Sequence, residues 1–203
     1  MSARYGVADR IEDIAPMQGI KIAFSDMGNI YDRIRERLGA GRCVVFVGLP
    51  CHVQAVKNTF GDDDNLWTVD IACTGQPSPI VLKRYVEELS AQVRVAGLTF
   101  RPRGQPSDTL DIHFEDGSSR QSGKDPYMRA YNANLMVNQA CAECKFVRTS
   151  RTGDISIGSI TDKKLDNGAG TSIVRASREI RKCFMVRDRV CGVLCLRAGR
   201  RRP

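Results

Sequence analysis

The sequence predicts an α/β fold: a parallel βαβ core with an antiparallel β extension and a cysteine-bearing loop. Three observations predict it. Cys43-Val44-Val45-Phe46-Val47 and Leu66 to Cys73 are short strand-like runs, each followed by a turn and a helical pattern, the alternation of βαβ units. Leu98-Thr99-Phe100 and Leu110-Asp111-Ile112-His113-Phe114 alternate, with Asp116-Gly117 as a turn signal, which reads as an antiparallel hairpin. Gln139 to Ser150 is polar and carries Cys141-Ala142-Glu143-Cys144.

Taken in order, residues 1–18 show weak periodicity and read as an N-terminal segment, either a loop or the remnant of a preceding segment. Ile20-Lys21-Ile22-Ala23-Phe24 alternates and predicts a short strand of the parallel sheet. Ile30, Ile34 and Leu38 recur at helical spacing among charged residues, so 28–39 predicts an amphipathic helix that ends at Gly39 and Gly41. The unbroken apolar run 43–47 predicts a strand buried on both faces, with Cys43 turned into the core. Gly48-Leu49-Pro50-Cys51 then turns into a helix over 51–60. Residues 66–72 predict the next strand and 79–92 a helix with Leu82, Tyr85, Val86 and Leu89 on one face. A helix entered through Pro126 runs from Asp125 to about Val137. Asp154 to Gly158 and Thr171 to Val174 are the last strand candidates.

The chain has 203 residues, 42% hydrophobic and 27% charged, with a formal charge of +8. These are the proportions of a globular protein. No apolar run is long enough to span a membrane. Met1-Ser2-Ala3-Arg4-Tyr5 leads into no apolar h-region, so no secretory signal peptide is expected and the cytoplasm is the expected location. The charge is concentrated at one end. Residues 178–203 hold nine basic and two acidic side chains, a net +7, leaving +1 on 1–177. A nearly neutral body argues against a nucleic-acid-binding surface. Residues 178–203 read as a basic, truncated or non-native tail that packs poorly from about 187 and holds Cys191 and Cys195 as thiols without a ligand role.

Eight cysteines in a reducing compartment point to metal, cluster or redox work, or to scattered core positions. Cys141 and Cys144 form a CxxC, which zinc sites, iron–sulfur clusters and dithiol redox centres all use. Zinc wants a second close pair, and Cys191 and Cys195 lie about fifty residues on. A cluster wants two further thiols. Cys51 and Cys73 qualify, because each falls just past the C-terminal end of a predicted parallel strand, and neighbouring parallel strands deliver their end loops to one crevice.

The motif from Val44 to Gln54, Val44-Val45-Phe46-Val47-Gly48-Leu49-Pro50-Cys51-His52-Val53-Gln54, resembles the "VLFVGTPCQ" element of the coenzyme F420 hydrogenase/dehydrogenase beta-subunit family. Val69-Asp70-Ile71-Ala72-Cys73-Thr74-Gly75-Gln76-Pro77-Ser78-Pro79 is similar to its "DLxCHGxPSP" element, with Lys83-Arg84-Tyr85 following in the expected place. Phe100-Arg101-Pro102-Arg103 resembles its "FRxK" strand. Asp125-Pro126-Tyr127, Cys141 to Phe146 and Arg151-Thr152-Gly153-Asp154-Ile155-Ser156-Ile157-Gly158 resemble its "CxxC…RxGDIxIGD" block. This sequence departs from the pattern at Leu49, His52, Thr74 and Ser159-Ile160, and it lacks the cysteine-rich ferredoxin segment that often precedes the first strand.

The resemblance implies part of a longer iron–sulfur flavoprotein oxidoreductase subunit, with 19–177 as the flavin and iron–sulfur domain. It implies FAD, which exchanges a hydride with a deazaflavin carrier of the coenzyme F420 type, and one [4Fe-4S] cluster, which relays electrons to a partner redox subunit such as a hydrogenase, a dehydrogenase or a ferredoxin-like protein. Carried onto matching positions, the implied cluster ligands are Cys51, Cys73, Cys141 and Cys144, with their sulfurs within about 7 Å of one another. Arg101, Arg103, Lys145 and Arg151 are candidates for the flavin phosphates, and Gly48 and Gly75 for close cofactor approach. A structural zinc module built on the same thiols, and an inactive fragment of the longer enzyme, are the alternative readings.

Overall fold

The computed structural model describes residues 3–147, 150–159, 172–177 and 194–195. The chain divides into two compact units, residues 1–30 with 75–144 and residues 31–74 with 145–203.

The first unit is built on an antiparallel sheet. Two short strands, β1 (Ala3–Arg4) and β2 (Ser25–Asp26), pair in parallel, and a 3-10 helix spans Ile11–Met17 between them. The alternating segment Ile20 to Phe24 does not become the expected strand of the parallel sheet. Ile20 makes an isolated antiparallel bridge to Phe100. Ile22 and Ala23, adjacent in sequence, are both buried, while Ile20 and Phe24 are exposed, so the two-residue period of the sequence is not realised in space. The N-terminal stretch is also not only loop, since β1 and the 3-10 helix lie within it.

The expected hairpin region is present as β5 (Val95–Phe100), β6 (Leu110–Phe114) and β7 (Ser119–Ser122). Its turn follows the Asp116 signal: Asp116 Oδ1 accepts from the N–H and hydroxyl of Ser118 at 2.9 and 2.6 Å. Helix α3 (Pro79–Leu89) belongs to this unit's core. Leu82 packs with Val95, Phe100, Leu110, Ile112, Tyr127 and Met128, so its apolar stripe is used as read, although its sheet is antiparallel. Helix α4 (Pro126–Asn132) is shorter than expected because the chain turns at Asn134, which adopts a φ of 57°. A one-turn helix, α5 (Gln139–Ala142), lies in the expected cysteine-bearing loop.

The second unit is a mixed sheet. Its strands are β3 (Val44–Gly48), β4 (Leu66–Ile71), β8 (Ile155–Ser159), β9 (Ser172–Ala176) and β10 (Leu194–Cys195), in spatial order β10-β9-β8-β4-β3. β3, β4 and β8 are mutually parallel, and β9 runs antiparallel to β8. Helix α1 (Ile30–Gly39) precedes β3, and helix α2 (Pro50–Phe60) joins β3 to β4. Pro50 supplies the fixed φ that suits the first helical position. Val53 and Val56 are fully buried on its inner face.

β4 is an interior strand, with Leu66 through Asp70 all buried. β3, which the sequence placed inside the sheet, is its edge among the described residues. Phe46 is buried, but Val45 and Val47 are 45% and 50% exposed. An unbroken apolar run therefore marked an edge strand with one covered face. Cys43 precedes this strand and is exposed rather than buried in the core. Of the expected tail, Leu194–Cys195 pairs in parallel with Ile173 and Val174 of β9, and its other residues, Cys191 among them, lie outside the described residues.

Candidate functional site

In the second unit, β3 and β4 run parallel with Gly48 opposite Asp70. The chain therefore leaves both strands at the same edge of the sheet. Cys51 follows three residues after β3, in the first turn of α2, and is exposed; Cys73 follows two residues after β4 and is half-buried. Burial pushes the neighbouring His52 imidazole below its ordinary value.

A buried carboxylate organises this edge. Asp70 is fully buried. Its Oδ1 accepts from Arg151 Nη2 at 2.8 Å and Nε at 3.1 Å. Its Oδ2 accepts from the N–H groups of Thr152 and Gly153 at 3.0 and 2.8 Å. The Thr152 hydroxyl lies between that oxygen and the Pro50 carbonyl, at 3.1 and 3.2 Å. Burial alone would raise this carboxyl, yet the Gly153 N–H and the Arg151 guanidinium outweigh it and hold the group below the usual aspartate range. Gly153 has no space for a side chain, since a Cβ there would meet the Ile155 carbonyl at 2.6 Å and the Asp70 nitrogen at 2.7 Å. A second carboxylate, Asp154, accepts from Lys57 Nζ at 3.1 Å and from the N–H and hydroxyl of Thr68, both at 2.8 Å.

In the first unit the CxxC begins in α5. Asn138 caps that turn, its side chain accepting from the Ala140 N–H at 3.0 Å. Cys141 and Cys144 are half-buried thiols. Cys141 Sγ accepts the Gln76 N–H at 3.5 Å. Among the described residues, no three His, Cys, Asp or Glu side chains form a metal-sized group.

Arg101 and Arg151 are engaged within their own units. Arg101 Nη2 donates to Asn132 Oδ1 at 2.6 Å and Nε to the Ser107 carbonyl at 3.2 Å, while Arg151 is held by Asp70. Arg103 and Lys145 are exposed. Gly48 is buried at the end of β3. Gly75, at a φ of 119°, brings its backbone against side chains rather than open space: a Cβ would lie 3.0 Å from Val137 Cγ1 and 3.7 Å from Cys141 Cβ. Sequence reading passed over Asp70 as a site residue. The signal was present, because a carboxylate inside a buried strand demands a buried partner.

Residues 41–186 match the family formed by the C-terminal part of the coenzyme F420 hydrogenase/dehydrogenase beta subunit. The chain belongs to that family. This F420 hydrogenase/dehydrogenase beta-subunit region takes in every element from β3 to β9, and with them Cys51, Cys73, Cys141, Cys144 and the Arg151-to-Asp154 block. The family is named for the beta subunits of coenzyme F420 hydrogenases and dehydrogenases. Among solved structures, it is similar to a chain of the F420-reducing [NiFe] hydrogenase complex from Methanosarcina barkeri, at 20% identity and a TM-score of 0.49, over 77% of this chain and 53% of that one. The beta-subunit region thus spans about half the length of the solved chain it matches. No curated protein sequence matches it. Among the described residues, no helix is long and apolar enough to cross a membrane.

Proposed function

We propose that this chain is the flavin- and iron–sulfur-binding part of an oxidoreductase subunit that passes electrons between a deazaflavin hydride carrier of the coenzyme F420 type and a partner redox subunit, in the cytoplasm. The observation that carries the reading is the delivery of Cys51 and Cys73 to one edge of the sheet by parallel neighbouring strands. The second pair, Cys141 and Cys144, sits three residues apart at the end of a capped turn, Cys141 inside it and Cys144 just past its C-cap Glu143. The donor set fits: four thiols at least partly accessible are the ligands a cubane cluster requires.

When bound, FAD takes up a hydride as an electron pair and a [4Fe-4S] cluster passes electrons singly. Cys51, Cys73, Cys141 and Cys144 would hold the cluster as thiolates. Arg103 and Lys145, exposed and cationic, would meet the flavin diphosphate. Arg101 and Arg151 serve by holding the scaffold in each unit. Asp70, through Thr152, ties the end of β4 to the Pro50 carbonyl that precedes Cys51.

Anaerobic reconstitution with iron and sulfide tests the reading. The chain should take up about four iron atoms with acid-labile sulfide and show a broad shoulder near about 400 nm. Alanine at any of the four cysteines should abolish that uptake and leave the far-ultraviolet circular dichroism unchanged, because the elements rest on apolar burial. A colourless chain carrying stoichiometric zinc would overturn the proposal, as would a chain that takes up neither flavin nor iron.

A further inference from the structure

Gly75 and Gln76 share one peptide group, and both of its polar atoms are engaged. The Tyr131 hydroxyl donates to the Gly75 carbonyl at 3.1 Å. The Gln76 N–H on the other side of the same amide donates to Cys141 Sγ at 3.5 Å. Phenol, amide and sulfur form one chain of hydrogen bonds, and a bond to the oxygen of an amide polarises its N–H.

The surroundings hold this peptide in place. The Asn138 N–H donates to the Gln76 carbonyl at 2.8 Å, and the Ser78 N–H to the Met136 carbonyl at 3.0 Å. Pro77 bridges Val137 in antiparallel sense. Residues 75–78 therefore run beside 136–138, and the absence of a Gly75 side chain allows the approach. On the far side, the Arg101 guanidinium lies 5.9 Å from the centre of the Tyr131 ring, a cation–π contact.

We propose that Tyr131 is a positioning residue for the Cys141 sulfur, acting through the 75–76 peptide to aim a polarised N–H at it. A thiolate on a cluster carries more negative charge when the cluster is reduced, so a donor aimed at it favours the reduced state. That consequence rests on the function proposed above; the hydrogen-bond chain itself does not.

Two measurements test it. The first follows amide hydrogen exchange at Gln76 by NMR in the whole chain before reconstitution. Cys141→Ala should speed Gln76 exchange about fivefold to tenfold, the worth of one hydrogen bond, and Tyr131→Phe should speed it about twofold, while Cys144→Ala leaves it unchanged. Unchanged exchange in Cys141→Ala overturns the proposal. The second is the cluster's midpoint potential in reconstituted Tyr131→Phe, which should become more negative with iron content unaltered. An unmoved potential at full iron content overturns the tuning role. A wild-type chain that takes up no iron overturns the function proposed above, and the Tyr131→Phe exchange rate then decides this inference alone.

Discussion

Arg151 directs two guanidinium nitrogens at a single oxygen of Asp70, Nη2 at 2.8 Å and Nε at 3.1 Å. The other oxygen is thereby left to the loop that carries Arg151. The N–H groups of Thr152 and Gly153 fill it. One carboxylate at the end of β4 thus holds both the side chain and the backbone of the segment leading into β8. The pair is well shielded, with Asp70 fully buried and the Arg151 side chain 19% exposed.

Removing the arginine should be costly. Arg151→Ala leaves a buried carboxylate without its counter-charge, which typically costs about 3–5 kcal/mol. The lower end is expected, since the Thr152 and Gly153 N–H bonds remain. Urea denaturation reads the loss. Arg151→Lys should recover less than half of it, because an ammonium cannot reproduce the fork. A loss below about 1 kcal/mol in Arg151→Ala, the ordinary worth of an exposed pair, would show that this one is not acting as a buried pair.

Asp154 predicts a pH dependence. Burial would raise its carboxyl, but the Thr68 hydroxyl and N–H and the Lys57 ammonium hold it below the ordinary value of about 3.9. The folded chain therefore binds this proton less readily than the unfolded chain. Its stabilisation is fully present above the unfolded value and is lost as pH falls through the folded one. Denaturation midpoints measured downward from about pH 5 should fall less steeply in Asp154→Asn than in the wild type. An equal slope in both would remove Asp154 as a source of the acid sensitivity.

Asp125 predicts a local effect in the first unit. It is 1% exposed, caps α4 through the Tyr127 and Met128 N–H groups at 3.0 and 3.2 Å, and accepts the Tyr85 hydroxyl at 2.6 Å. Asp125→Ala loses a cap worth about 1 kcal/mol and strands a half-buried phenol at about 1–3 kcal/mol more. The expected total is about 2–4 kcal/mol by chemical denaturation. Asp125→Asn should restore most of it, since the amide oxygen still accepts both N–H bonds. If Asp125→Asn is as damaging as Asp125→Ala, the carboxylate charge matters more than the cap.

The exposed face of β3 predicts a solubility effect. Val47 is half exposed on a strand that is the sheet's edge among the described residues, the place where a charge discourages edge-to-edge pairing. Val47→Lys should raise the onset temperature of aggregation, followed by light scattering, while changing folding stability by no more than about 0.5 kcal/mol. A stability loss of about 2 kcal/mol, the size of losing a buried valine, would mean that this face is covered.

Much of the secondary structure was legible in the sequence because it depends on local chemistry. Pro50 and Pro79 mark the first positions of α2 and α3, the Leu82-to-Leu89 stripe marks the inner face of α3, and Asp116 marks a hairpin turn. Cys51 and Cys73 could be assigned to one sheet edge because two neighbouring parallel strands fix where their loops emerge, and the structure has β3 and β4 adjacent and parallel. Neighbours across the sheet were not legible in the same way. Five apolar residues from Cys43 to Val47 fit an interior strand and an edge strand alike, and only the order of the strands puts β3 at the edge among the described residues; Cys43, just before it, is exposed. Ile20 to Phe24 alternates, yet it packs Ile22 and Ala23 into the first unit's core. The pairing of Asp70 with Arg151 spans 81 positions and that of Gln76 with Cys141 spans 65. Periodicity reports which way a side chain faces within its own element. Which partner waits there depends on elements that meet only when the chain is folded, because burial is not directional and an apolar face will accept any apolar cover.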